Sequence, residues 1–169
     1  MLITSAKAAK MLRQLNDELR TLQVREGKTK TFVAALQEDI ESVRPKYNFK
    51  EMRDAQAEVE RKIRKLKHAL NIFNTTTVVP EFDMTIDEML VFLPQLNKQC
   101  SLLSGMRDAM PKVRVSSGYS GNSAILDYQY TNYDIEEANK RYIELSDMLA
   151  KAQTALDLIN STVEFEIDI

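Results

Sequence analysis

The chain has 169 residues, and 23 basic side chains nearly balance 25 acidic ones to give a net charge of −2. The length predicts a single domain, residues 1–169, and the charge makes nucleic acid an improbable main partner. With one Cys and one His the chain cannot build the common His/Cys zinc sites, so we expect no metal and no cofactor. No apolar run is long enough to cross a membrane, and the first residues lack an export-signal pattern. We therefore expect a cytoplasmic protein with no membrane partner and no disulfide.

The first half of the sequence predicts two long helices with a short amphipathic turn between them. The first helix covers residues 5–24, and Gly27 should end it. The turn places apolar residues on one side over residues 33–43 and stops before Pro45. The second helix begins after Asn48, a plausible N-cap, and runs to about Phe73. The apolar residues of the first helix are spaced by steps of four and three, as in a coiled coil, and are Ala8, Leu12, Leu15, Leu19 and Leu22.

The second half predicts two more long helices of the same kind. The third begins at Thr85, where Thr85 and Glu88 form a capping box, and Pro94 should kink it. The fourth begins near Asp134 and keeps its spacing without a slip to Ile159. The apolar positions of these two helices are Ile86, Met89, Leu93, Leu96, Cys100, Leu103, Ile135, Ala138, Tyr142, Leu145, Leu149, Ala152, Leu156 and Ile159.

The remaining segments have the composition and alternation of strands. Residues 113–130 predict a hairpin around a turn at residues 118–122, and residues 162–169 predict a C-terminal strand with apolar and acidic faces. Residues 77–79 form a further extended piece. The predicted fold class is therefore mainly α: an antiparallel bundle of long coiled-coil-like helices with small β elements.

Two eight-residue segments of the chain are similar at every position. Residues 69–76 and 155–162 both lie where a long helix gives way to a strand, which predicts two equivalent exits. Asn tolerates the left-handed conformation that closes many helices, so Asn74 and Asn160 are expected to cap theirs.

Several segments together resemble the septicolysin-like family of small bacterial helical proteins. These segments are residues 67–77, residues 82–87 and the ending from 133 to 166, so the likeness runs from the second helix to the C-terminus. The resemblance implies a long helical hairpin or bundle of bacterial or mobile-element origin. It implies no particular activity and carries over no functional residue.

Two groups of polar residues are candidates for contacting a small anionic ligand. The first is a basic stripe on the second helix, formed by Arg61, Arg64, Lys65 and His68. It could hold phosphates, or it could be a solvated face that the pairs Glu58–Lys62 and Glu60–Arg64 partly neutralise. The second group could line a polar pocket or merely cap the helix ends, and consists of Asn74, Thr75, Thr76, Asn160 and Thr162.

Two further groups are candidates for an interface between copies of the chain. A lone two-stranded hairpin is marginally stable in water, and tyrosine is favoured at recognition surfaces. The terminal strand adds an apolar face and an edge that a soluble protein normally covers. The hairpin residues are Tyr119, Tyr128 and Tyr130, and the tail residues are Val163, Phe165 and Ile167.

The sequence contains no Gly-rich phosphate loop and no hydrolase or metal motif, so we assign no catalytic residue. The single Cys100 falls on an apolar helix position, which predicts a buried, unreactive thiol. The leading hypothesis is a non-catalytic, self-associating helical interaction or scaffold protein that forms a homo-oligomer. The alternative is a protein that sequesters a small anionic ligand such as a nucleotide. A third hypothesis is an enzyme that uses Tyr, Asp and Glu alone.

Overall fold

The computed structural model describes residues 1–115 and 127–169, and 68% of this part is helical. Its helices are α1 (Ser5–Thr29), α2 (Ile40–Val43), α3 (Phe49–Thr76), α4 (Ile86–Arg107) and α5 (Ile135–Thr162). Its strands are β1 (Leu2–Thr4), β2 (Val78–Val79), β3 (Met84–Thr85), β4 (Lys112–Arg114), β5 (Tyr128–Tyr130) and β6 (Glu164–Glu166). The strands pair antiparallel as β1 with β6, β2 with β3, and β4 with β5. The prediction of a mainly α fold with small β elements is confirmed.

The chain divides into two compact units. The first consists of Met1–Thr77 together with Leu158–Ile169, and the second is the continuous segment Val78–Asp157. The prediction of one domain over residues 1–169 stays a prediction. None of the helices in the described ranges is long and apolar enough to span a membrane.

The first unit is built on an antiparallel pair of helices, α1 and α3. The start of α1 meets the second half of α3, where Ala8 and Leu66 are fully buried in one cluster with Ile3 and Ile167. At the other end of the pair, the side chain of Gln56 near the start of α3 donates to Glu26 near the end of α1. These contacts bury the predicted apolar sides of both helices against each other.

The predicted boundaries in the first half are partly wrong. α1 continues through Gly27 to Thr29, because a glycine in an exposed helix costs only about 1 kcal/mol and nothing crowds this position. Within the amphipathic turn predicted over residues 33–43, only α2 is helical. Val33 and Leu36 are almost fully exposed, so the turn does not bury its apolar side. The predicted N-cap is confirmed: the side chain of Asn48 accepts from the first backbone N–H groups of α3.

The prediction that Asn74 and Asn160 cap their helices is also wrong. Both α3 and α5 extend two residues further, to Thr76 and Thr162. Neither asparagine has a left-handed backbone conformation, because among the described non-glycine residues a positive φ occurs at Asp83 alone. The hydroxyls that follow the asparagines donate to carbonyls within the same helix, which is compatible with continued helical geometry.

The two helix exits are nonetheless equivalent in strand register. The residue four positions after Asn74 pairs with Thr85, and the residue four positions after Asn160 pairs with Thr4. Each of these threonines is the N-cap of the helix that follows its strand. The internal similarity of the sequence therefore corresponds to a repeated helix–strand, strand–helix arrangement.

The second unit contains α4 and most of α5, which run antiparallel. Tyr133, just before α5, donates to the carbonyl of Met106 near the end of α4, and further along Ser146 lies 4.0 Å from the sulfur of Cys100. Cys100 is buried, as predicted. Of the predicted apolar positions of α5, Leu145 is buried, whereas Leu149 is half-buried.

The predicted capping box of α4 is confirmed, and the kink at Pro94 stays a prediction. Thr85 accepts from the backbone N–H of Glu88, and the carboxylate of Glu88 accepts from the backbone N–H of Thr85 in return. These hydrogen bonds lower the pKa of Glu88, chiefly through the backbone of Thr85. Pro94 lies inside the helix, where it withholds one backbone N–H from the helical ladder.

Candidate interaction surface

The β4–β5 ribbon exposes both of its faces. Every described residue of the ribbon, 112–115 and 127–130, is exposed to solvent. One face carries Tyr128 and Tyr130, which lie opposite Arg114 and Lys112, respectively. The ammonium of Lys112 lies 4.0 Å from the ring centre of Tyr128 and 5.3 Å from that of Tyr130. The ribbon therefore presents an aromatic and basic surface, and the candidate Tyr119 lies outside the described residues.

A cavity of about 520 Å³ lies at the base of the ribbon. The hydroxyl of Tyr133 anchors this region by donating to the carbonyl of Met106 at 2.9 Å, while Met110 remains 69% exposed. The backbone N–H of Thr131 closes the base by donating to Pro111. The lining residues are Ala109, Met110, Val113, Gln129, Tyr130, Thr131, Asn132 and Tyr133.

The C-terminal tail is not the exposed apolar face that the sequence predicted. Strand β6 pairs with β1 of the same chain, so this edge of β6 is covered. Phe165 stacks on Phe73 with ring centres 4.7 Å apart, and Ile167 is 3% exposed within the core of the first unit. Phe165 and Ile167 are therefore intrachain packing residues, because burying their side chains inside the chain is more favourable than leaving them in water. Val163 remains 38% exposed.

The basic stripe on α3 is only partly neutralised. Arg61 donates twice to the carboxylate of Glu58, which lowers the pKa of Glu58, and Lys65 pairs with Asp168 at 3.2 Å. The expected Glu58–Lys62 pair is present at 3.9 Å, whereas Glu60 and Arg64, both described, form no ion pair.

Two of the four stripe residues thus have no charged partner among the residues that the structure describes. Arg64 and His68 are exposed, and neither forms an ion pair with any residue of 1–115 or 127–169. Arg64 therefore carries a charge that no described residue pairs with. Exposed charges of this kind contribute little to folding, so they remain open to a ligand.

The hydroxyl groups at the helix exits mostly donate hydrogen bonds to carbonyls of their own helices. The hydroxyls of Thr75, Thr76 and Thr162 each donate to a carbonyl one turn earlier, at 2.9, 2.7 and 2.6 Å. The Oδ1 atoms of Asn74 and Asn160 are buried and accept no hydrogen bond within the described part of the chain. An amide oxygen attracts donors rather than anions, so these two buried oxygens do not favour an anion, and the anion contacts of this group stay a prediction.

A second groove, of about 530 Å³, lies between the end of α4 and the start of α5. Its walls carry both signs of charge, and Arg141 donates to Glu144 at 3.1 Å. Nearby, the guanidinium of Arg107 lies 4.0 Å from the ring centre of Tyr142. Because opposite charges are interspersed, this groove does not favour an anion. In the part of the chain that the structure describes, no group of three or more His, Cys, Asp or Glu could hold a metal ion.

A polar cluster that was not predicted from the sequence joins the far end of α1 to the start of α3. The carboxylate of Glu26 accepts from Tyr47 at 3.0 Å, from Gln56 at 3.0 Å and from the guanidinium of Arg53. These contacts, led by the hydrogen bond from Gln56, lower the pKa of Glu26. Burial of the phenol raises the pKa of Tyr47, and the hydrogen bond to Glu26 raises it further. Gln56 is itself only 5% exposed. One signal of this cluster was present in the sequence: Gln56 lies where the apolar repeat of α3 allows an apolar residue.

Neither a protein-family model nor a curated protein matches the chain. Among solved structures, it is similar to the crystal structure of a functionally unknown conserved protein from Corynebacterium diphtheriae, with a TM-score of 0.60. The two chains are 18% identical, and the alignment covers 98% of this chain and 100% of the other. A likeness at this level of identity shows a shared fold and assigns no activity.

Proposed function

We propose that the protein is a non-catalytic helical interaction protein that self-associates. The observation that carries this proposal is the β4–β5 ribbon, whose described residues expose both faces to water. An isolated two-stranded ribbon is marginally stable, and a partner surface would cover its tyrosines and valines. Tyr128 and Tyr130 are 41% and 62% exposed, and Val113 and Val115 on the opposite face are 45% and 43% exposed.

The chemistry of the ribbon suits recognition. Tyrosine supplies a large amphipathic area at a low cost in side-chain entropy, and Lys112 holds the two rings on one side. The cavity at the base of the ribbon offers space for a partner side chain beside Met110. We also propose a cytoplasmic location, which the single, buried Cys100 supports because no disulfide framework is needed.

Light scattering of the purified chain over micromolar concentrations tests this proposal. We expect a mass above that of one chain, and a lower mass for the double variant Tyr128→Thr and Tyr130→Thr, which keeps strand propensity. The matched control is Ile72→Thr, because Ile72 is 50% exposed on α3. A wild-type mass of one chain at every concentration would refute self-association. An oligomer that the double variant leaves unchanged would show that the ribbon is not its interface.

Sequestration of a small anionic ligand is the second candidate function. Arg64 and His68 favour it, because they are exposed and without an ion pair in the described ranges. A nucleotide that binds the folded chain should raise its melting temperature. Replacing Arg61, Arg64 and Lys65 with Gln should abolish that rise and leave the fold intact. A nucleotide-dependent rise that persists in the triple variant would exclude this stripe as the site.

A further inference from the structure

Helix α4 carries apolar residues on two opposite sides. One side is buried in the second unit through Ile86, Met89, Leu96 and Cys100. The other side consists of five exposed residues, three of them apolar and two charged, which are separated by steps of four, three, four and four residues. We name it the outer seam of α4, and its residues are Asp87, Val91, Pro94, Lys98 and Leu102.

The outer seam is unusual for a surface that only faces water. Val91 and Leu102 are 58% and 65% exposed, and Leu90 at its border is 48% exposed. A surface helix normally keeps its apolar residues to one stripe, whereas a helix that is apolar on both sides is typical of a buried position. The steps of the outer seam are those with which a helix packs against another helix.

The two charges of the outer seam indicate which helix would pack there. Asp87 and Lys98 are both exposed and form no ion pair within residues 1–115 and 127–169. They lie on the same side of α4, about 16 Å apart along its axis, because eleven residues make almost exactly three turns. When two copies of α4 pack antiparallel, Asp87 of each helix can lie beside Lys98 of the other, which gives an ion pair at both ends of the contact. A parallel arrangement would instead place like charges side by side.

We propose that the outer seam of α4 packs antiparallel against the outer seam of a second copy of this chain. The twofold axis passes between residues 92 and 93, so Asp87 of each protomer meets the partner's Lys98. Val91 then faces the partner's Pro94 near the centre, and Leu102 lies one turn beyond Lys98 and covers the ion pair. This inference rests on the proposed self-association and assigns to it a second contact surface, separate from the β4–β5 ribbon. Such an interface is isologous, so the outer seam by itself joins two copies of the chain and leaves the ribbon free for its own contact.

The proposed contact is small. A single pair of helices buries an area at the low end of specific interfaces, so we expect dissociation constants in the micromolar range. The two ion pairs provide register and specificity more than affinity. The contact should therefore weaken at high salt, while its apolar centre keeps some association.

A charge-reversal cycle followed by sedimentation equilibrium tests the pairing. Lys98→Asp and Asp87→Lys should each raise the dimer dissociation constant at least about tenfold, because each reversal acts at both ends of the dimer. The double variant should restore the wild-type value to within about threefold. The matched control is Lys140→Asp on α5, also exposed and without an ion pair in the described chain, and it should change nothing.

A second variant keeps the test independent of the first turn of α4, where Asp87 also favours the helix end. Val91→Asp places a like-charged pair near the twofold axis and should abolish the association through α4, with the fold verified by circular dichroism. Variants that dimerise as the wild type does would overturn the outer seam while leaving self-association through another surface. Single variants that weaken the dimer without rescue in the double variant would overturn the antiparallel register. A wild-type chain that stays monomeric would overturn both this inference and the proposed function.

Discussion

Replacing Ile167 with Ala should destabilise the first unit, because this side chain is core rather than interface. Ile167 is 3% exposed and packs with Ile3, Ala8 and Leu66. The substitution removes three carbon atoms, which at about 0.8 kcal/mol each gives roughly 2.4 kcal/mol for the lost burial. The remaining cavity adds to this, so the expected loss in the free energy of unfolding is about 3 kcal/mol.

Urea denaturation followed by circular dichroism measures this loss as a shift of the midpoint at constant slope. Val163→Ala is the control, because Val163 lies in the same tail and is 38% exposed, so its truncation should cost less than about 1 kcal/mol. Light scattering should give the same oligomer mass for Ile167→Ala as for the wild type. A loss below about 1 kcal/mol combined with a lower mass would mean that the tail is an interface after all.

Two further predictions concern the acidic side of the pH range and a helix cap. The lowered pKa of Glu26 means that its contribution to stability is present above the ordinary carboxyl value of 4.5 and is lost as the pH falls through the folded value. Glu26→Gln should therefore reduce the loss of stability between about pH 5 and pH 3. Part of that loss should remain, since the pKa values of Glu58 and Glu88 are also lowered. Urea midpoints of Glu26→Gln that fall with pH as steeply as those of the wild type would contradict the role of Glu26. Thr85→Ala should cost about 0.5–2 kcal/mol by removing the capping box, whereas Thr75→Ala, whose hydroxyl only bonds back within α3, should cost close to nothing in the same assay.

The helices were the predictable part of this fold because periodicity reports directly on burial. The steps of four and three found α3, α4 and α5, and the caps at Asn48 and Thr85 were correct because local hydrogen bonds define them. Helix ends were less predictable. Gly27 weakens a helix without ending it, and Asn74 can adopt a left-handed turn without being required to.

Strand partners and interfaces were not predictable from local patterns. The alternation of the tail correctly indicated a strand, but β1 at the opposite end of the sequence gives no signal of its own and yet pairs with β6. Phe165 and Ile167 were therefore assigned to an interface when their partners lay within the chain. The contacts of Glu26 were missed for the same reason, since Gln56 lies 30 residues away in the sequence.

The pairing of β1 with β6 has a consequence for the order in which the chain folds. The core of the first unit joins Ile3 to Ile167, so it depends on contacts between the most distant parts of the sequence. The second unit is continuous and is synthesised entirely before residues 158–169 emerge from the ribosome. Contacts of such long range form slowly. We therefore expect the α1–α3 pair to keep part of its apolar surface uncovered until β6 is synthesised. Exposed apolar surface of this kind favours aggregation of a nascent chain.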